Sequence, residues 1–229
     1  MSEILNDLIA EAGNDRVALR LSPNPPGSNP DPSDPFDAET RLTYEEAYRT
    51  ASKLNLAYLL VTEPRWNPYA ADESENDLLT KLPCASALTF GHLYTSGPKI
   101  GTTGFTPISG DAALENNLFE LIGFGRWFIS NPDLPERIRK NYPLNLYARD
   151  FFYAPIPEGY NDYPTFGEIC AKLGVNAEDY ALAEGADAAA QAAQEAKVQE
   201  LIKMSAGKFK YGLVSIQTIG NNTHGTKQG

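Results

Sequence analysis

Apolar residues along this chain fall into short blocks that alternate between helical and strand spacing. Ile4, Leu5, Leu8 and Ile9 recur at helical intervals, and Gly13-Asn14 reads as the stop of that helix. Residues 17–21, VALRL, form a short apolar run ended by Ser22-Pro23, the pattern of a strand buried on both faces of a parallel sheet. The next stretch, 24–35, is so rich in Pro, Gly, Ser, Asn and Asp that only a loop fits. Thr43-Tyr44-Glu45-Glu46 predicts a capping box opening a helix to about Leu54. A second buried strand follows over 56–61 and ends in Glu63-Pro64-Arg65, which is read as structural.

The pattern then loosens. Residues 66–81 are acidic and polar, a loop with one helical turn at most, and 88–95 fits either a strand or an irregular segment. Residues 99–105 read as a third strand running into a glycine turn, and 108–118 as the crossover helix to a fourth strand over 118–124. This strand and helix alternation predicts a parallel α/β sheet of four strands. After Gly174 the character changes. An alanine-rich run, 181–196, lies within a helix-forming stretch reaching about Met204, and a glycine- and threonine-rich tail closes the sequence.

Charge and composition narrow the function classes. With 229 residues, 42% of them apolar, the chain has the composition of a globular protein. Its net charge of -11 disfavours nucleic acid and anionic lipid as partners. Cys84 and Cys170 show no CxxC or Cys/His spacing, and His92 and His224 lie far apart, so no metal site and no disulfide framework is expected. No apolar run is long enough to span a membrane, and the acidic start MSEILNDLIA is unlike a signal or transit peptide. A soluble intracellular protein is expected, cytoplasmic by default, with an organellar complex as the alternative.

The chemistry concentrates in residues 123–135, GFGRWFISNPDLP. An apolar strand delivers the backbone to a glycine without Cβ, and the planar five-donor fork of Arg126 follows at once, a combination suited to an anion such as phosphate. Residues 137–163 continue the motif as RIRKNYPLNLYARDFFYAPIPEGYNDY. Together they resemble the end of the last barrel strand and the C-terminal signature of the old yellow enzyme family, FMN-dependent ene-reductases fed by NAD(P)H. The likeness runs from about Leu8 to Gly174.

The resemblance implies the C-terminal half, about four strands, of a TIM (β/α)8 barrel over 1–174, with an alanine-rich helical extension and flexible tail over 175–229. It further implies that Gly104, Gly125 and Arg126 cradle the FMN phosphate and that Arg20 lies at the flavin N1 and O2 edge. Phe152 and Tyr153 would line the substrate side. Each residue also has a plain reading: an ion pair for Arg20, whose charge is costly in an apolar strand unless balanced, a tight turn for the glycines, and core packing for the aromatics. One departure stands out, since the family usually has two adjacent glycines where this chain has Thr103-Gly104.

The family's substrate-binding His/Asn or His/His pair and its tyrosine proton donor belong to the first half of the barrel. Neither His-x-x-Asn nor His-x-x-His occurs here. No catalytic residue is therefore assigned. The expectation is a partner-dependent half of an FMN-binding NAD(P)H oxidoreductase, unable to catalyse alone, with NAD(P)H as donor only if another chain completes it. The alternative is a catalytically inactive scaffold subunit of a larger complex, and a truncated gene product is a third reading. An open half-sheet exposes two unpaired edges and an apolar inner face. A protein partner is thus expected to cover them, with the 181–204 helix packed on that partner or capping an edge.

Overall fold

The computed structural model describes residues 1–23, 36–65 and 83–221. The loop expected over 24–35, the acidic segment 66–81, and the tail with His224 lie outside the described residues. Two compact units divide the chain, Met1–Gly123 and Phe124–Gly229.

In the first unit the elements run α1 (Ser2–Ala12), β1 (Leu19–Leu21), α2 (Ala38–Lys53), β2 (Leu59–Thr62), α3 (Ala85–Phe90), β3 (Lys99–Thr102), α4 (Pro107–Glu115) and β4 (Leu121–Gly123). The four strands form one parallel sheet in the order β1-β2-β3-β4, as the alternation predicts. A closed barrel needs eight. Among the described residues, β1 and β4 each have a strand on one side only.

Register separates the two faces of the sheet. Leu21, Val61 and Gly101 share one row and are buried with Leu59. Arg20, Leu60, Ile100 and Leu121 share another row. There Arg20 is exposed, Leu60 and Ile100 are only partly buried, and Leu121 is 54% exposed. One face therefore behaves as core and the other leaves apolar side chains facing solvent.

Two local expectations change. Helix α2 does not open at Thr43. It starts at Ala38, where the Asp37 carboxylate accepts the Thr40 amide at 2.7 Å, and Thr43 lies inside the helix. An aspartate at the end of a polar loop supplies a stronger start than the later Thr/Glu pair. The ambiguous 88–95 region is helical, α3 followed by a 3-10 turn over Gly91–Leu93. Its cap comes from far away in sequence: the Glu63 carboxylate accepts the Ser86 and Ala87 amides, both at 2.9 Å. Helix α4 is capped locally by a reciprocal Thr106/Ser109 box with Pro107 in the first turn.

The second unit contains α5 (Arg126–Ser130), α6 (Leu134–Lys140), β5 (Leu144–Asn145), α7 (Phe166–Leu173), α8 (Ala188–Ser205), β6 (Leu213–Val214) and α9 (Ile216–Asn221). Tyr142, Phe166, Cys170 and Leu201 form its core cluster, flanked by Leu173, Val175 and Tyr180. The antiparallel β5/β6 pair, with Leu144 opposite Val214, has no counterpart in the sequence reading. The alanine-rich helix starts later than expected, at Ala188, because Asp187 caps it by accepting the Ala190 amide at 2.8 Å. It docks through Gln194, Val198, Leu201 and Ser205, while Ala188, Ala189, Ala192, Ala193 and Ala196 are exposed.

Cys84 and Cys170 are free and buried, and burial pushes both thiols up to about 11. Among the described residues no helix is long and apolar enough to cross a membrane. No cluster of three His, Cys, Asp or Glu side chains suited to a metal occurs among them either.

Candidate functional site

In the first unit, the C-terminal end of β2 gathers the polar groups. The Thr62 hydroxyl accepts hydrogen bonds from Arg20 Nε at 3.2 Å and from the Ser22 hydroxyl at 2.9 Å. The Thr62 carbonyl accepts the Ser86 hydroxyl at 3.1 Å. Arg20 makes no ion pair among the described residues, and its side chain is exposed. Glu63 next to it is fully buried, and burial raises its carboxyl to about 7 against the opposing pull of the Ser86 and Ala87 amides and the Arg65 charge. The buried Arg65 guanidinium lies 4.7 Å from the Phe105 ring centre and donates to Cys84 Sγ at 3.8 Å. The structural reading of Glu63-Pro64-Arg65 has a concrete form here: Glu63 caps α3, and Arg65 braces the turn after β3.

That turn contains Thr103 and Gly104, both left-handed, with φ of 78° and 73°. A Cβ on Gly104 would fall 2.3 Å from the Arg65 carbonyl oxygen, so packing alone demands glycine there. Thr103 adopts a conformation that a β-branched residue tolerates poorly. Thr103→Gly is expected to raise stability by about 1 kcal/mol, the relief of a strained φ less the entropy of a freer unfolded chain. A lower urea midpoint for the variant would overturn this account.

Gly125 and Arg126 open the second unit. Gly125 is exposed, and a Cβ there would meet nothing within 4 Å. Arg126 is half-buried, its guanidinium 5.5 Å from the Tyr147 ring centre. Trp127 is fully buried and meets Tyr147 edge to face at 4.9 Å, and Phe152 meets Tyr147 at a tilt at 5.6 Å. Two predicted residues, Arg126 and Phe152, are thus linked through a third that the sequence reading did not single out. The only signal for Tyr147 was its place inside the quoted motif. Tyr153, the other predicted aromatic, is 98% exposed.

Much of the motif serves as scaffold. The buried Arg137 guanidinium donates to Asp133 Oδ1 at 2.7 Å, to the Pro143 carbonyl at 2.7 Å and to the Pro164 carbonyl at 2.9 Å. The other Asp133 oxygen accepts the Phe166 amide at 2.7 Å, at the start of α7. Asn131 Nδ2 donates to the Trp127 carbonyl at 2.9 Å, while Asn131 Oδ1 accepts the Asn145 amide at 2.8 Å. These bonds fix α5, on which Arg126 stands.

The donor set fits the phosphate of FMN. An open approach to the Gly125 backbone precedes the half-buried guanidinium of Arg126. In the first unit, taken by itself, Arg20 shares its row with the apolar Leu60 and Ile100.

Comparison with known proteins shows the family. Residues 1–145 match the NADH:flavin oxidoreductase / NADH oxidase family. The chain is 35% identical over 172 residues to 12-oxophytodienoate reductase 7 of Oryza sativa subsp. japonica, covering 75% of this chain and 43% of that protein. Among solved structures, it resembles the old yellow enzyme homologue of Zymomonas mobilis with a TM-score of 0.56 and 29% identity, covering 71% of this chain and 42% of the other. The old yellow enzyme of Trypanosoma cruzi gives a TM-score of 0.53 and 26% identity, covering 72% and 39%. The chain therefore spans about two fifths of the length of these relatives.

Proposed function

Because the chain belongs to the NADH:flavin oxidoreductase / NADH oxidase family, with the fold of a partial old yellow enzyme barrel, we propose that it is one half of an FMN-binding NAD(P)H oxidoreductase completed by another polypeptide. The observation that carries this reading is the four-stranded sheet whose β1 and β4 are, among the described residues, paired on one side only, with one face bearing Arg20, Leu60, Ile100 and Leu121 in a single row. A partner supplying further parallel strands would pair the edges and remove the apolar row from water.

Within this proposal, residues 1–174 form the half-barrel and 175–229 the extension. Gly104 in the first unit and Gly125 and Arg126 in the second are assigned to the FMN phosphate. Arg20 places positive charge at the N1 and O2 edge of the ring, and Phe152 and Tyr153 face the substrate side. Bound FMN would supply hydride transfer between NAD(P)H and an electron-poor alkene. This chain's own residues would bind, orient and exclude water, and the groups that grip and protonate the substrate would come from the partner. The exposed alanine face of α8 favours a second reading, in which the chain is an inactive scaffold of a larger assembly.

One purification tests both. The chain isolated with whatever accompanies it is expected to be larger than its own 25.0 kDa by native mass measurement and to show the bands of oxidised flavin, with FMN released on denaturation. A colourless complex at full occupancy removes the cofactor and leaves the scaffold. A compact, cooperative monomer removes the need for a partner.

A further inference from the structure

We infer that Tyr147 is a positioning residue for the anion site, holding the Arg126 guanidinium in place before any phosphate arrives. The inference rests on the phosphate reading above and adds a residue to it. An arginine side chain loses rotamer entropy when it is fixed, so a site that pre-orders the guanidinium binds its anion more tightly.

The ring of Tyr147 is well placed for that task. Its face lies 5.5 Å from Arg126 Cζ, within cation–π range. Buried Trp127 meets it edge to face at 4.9 Å and Phe152 contacts it at 5.6 Å. The backbone on either side is pinned as well. The Leu146 amide donates to the Gly212 carbonyl at 2.8 Å, and the Ala148 amide donates to the Tyr163 hydroxyl at 2.9 Å. The extension after Gly174 thereby contributes, through Gly212, to fixing the ring. In this inference Tyr147 acts on the ligand through Arg126, so its effect depends on both the ring and the arginine.

The test measures FMN affinity of the full chain, in the assembly in which it is isolated, by flavin fluorescence. Tyr147→Leu is expected to weaken FMN binding by roughly three- to tenfold, and Tyr147→Phe, which keeps the ring, by less than about twofold. Arg126→Ala should weaken it by roughly tenfold or more, and adding Tyr147→Leu to Arg126→Ala should cost nothing further. Where Tyr147→Leu fails to fold, a series of increasingly fluorinated phenylalanines at 147 keeps the shape while draining the ring face of negative charge. Affinity should then fall stepwise with fluorination. A flat series, or full additivity of the two substitutions, overturns the role of Tyr147 while leaving phosphate binding intact. If the wild-type chain binds FMN no better than riboflavin, which lacks the phosphate, the phosphate reading itself fails and this inference with it.

Discussion

Arg137→Ala is expected to destabilise the second unit by about 3 to 5 kcal/mol, the usual penalty for removing one partner of a buried ion pair. The loss is large because three groups are orphaned together. Asp133 loses its cation, and the Pro143 and Pro164 carbonyls lose their donors. Asp133 also caps the start of α7 through the Phe166 amide, so the disturbance reaches the Tyr142, Phe166, Cys170 and Leu201 cluster. Chemical denaturation followed by tryptophan fluorescence reads this directly, because Trp127 is buried in the same unit. A change below about 1 kcal/mol would mean that water or neighbouring side chains replace the guanidinium without strain.

Gly104→Ala is expected to cost roughly 3 kcal/mol or more, whereas Gly125→Ala should cost less than about 1 kcal/mol. The family resemblance treats the two glycines alike. Gly104 has φ of 73° and its missing Cβ lies 2.3 Å from the Arg65 carbonyl oxygen and 2.6 Å from Arg65 Cβ, so the turn must move or the end of β2 must. Gly125 has φ of -93° and open space where its Cβ would be. Paired melting curves decide the matter, and equal losses would remove the packing explanation for Gly104. At Gly125 the informative quantity is FMN affinity. Loss there without loss of stability would mark a backbone approached by ligand rather than by protein.

Sequence by itself determined the parts set by local pattern and by the contiguous motif. Short apolar runs at Leu21, Leu59, Val61 and Ile100, separated by helical stretches, were sufficient for a four-stranded parallel sheet, because strands buried by crossover helices must be apolar in this way. The residues from Gly123 to Tyr163 carried the family, since a long run of matched side chains is specific where a single GR step is not. Tertiary structure alone decided what depends on residues distant in the chain. Helix α3 exists because Glu63 caps it from the end of another strand, and no window around Ser86 contains that information. The start of α2 was missed for a smaller reason: hydrophobic spacing locates a helix face, while its first turn is set by a single cap at Asp37. The β5/β6 pair joins segments too short to register as strands without each other. Gly104 and Gly125 read as equivalent until Arg65 appeared beside one and nothing beside the other. Tyr147 acquired meaning only when the fold set its ring between Arg126, Trp127 and Phe152, because an aromatic side chain has no role until its faces have neighbours.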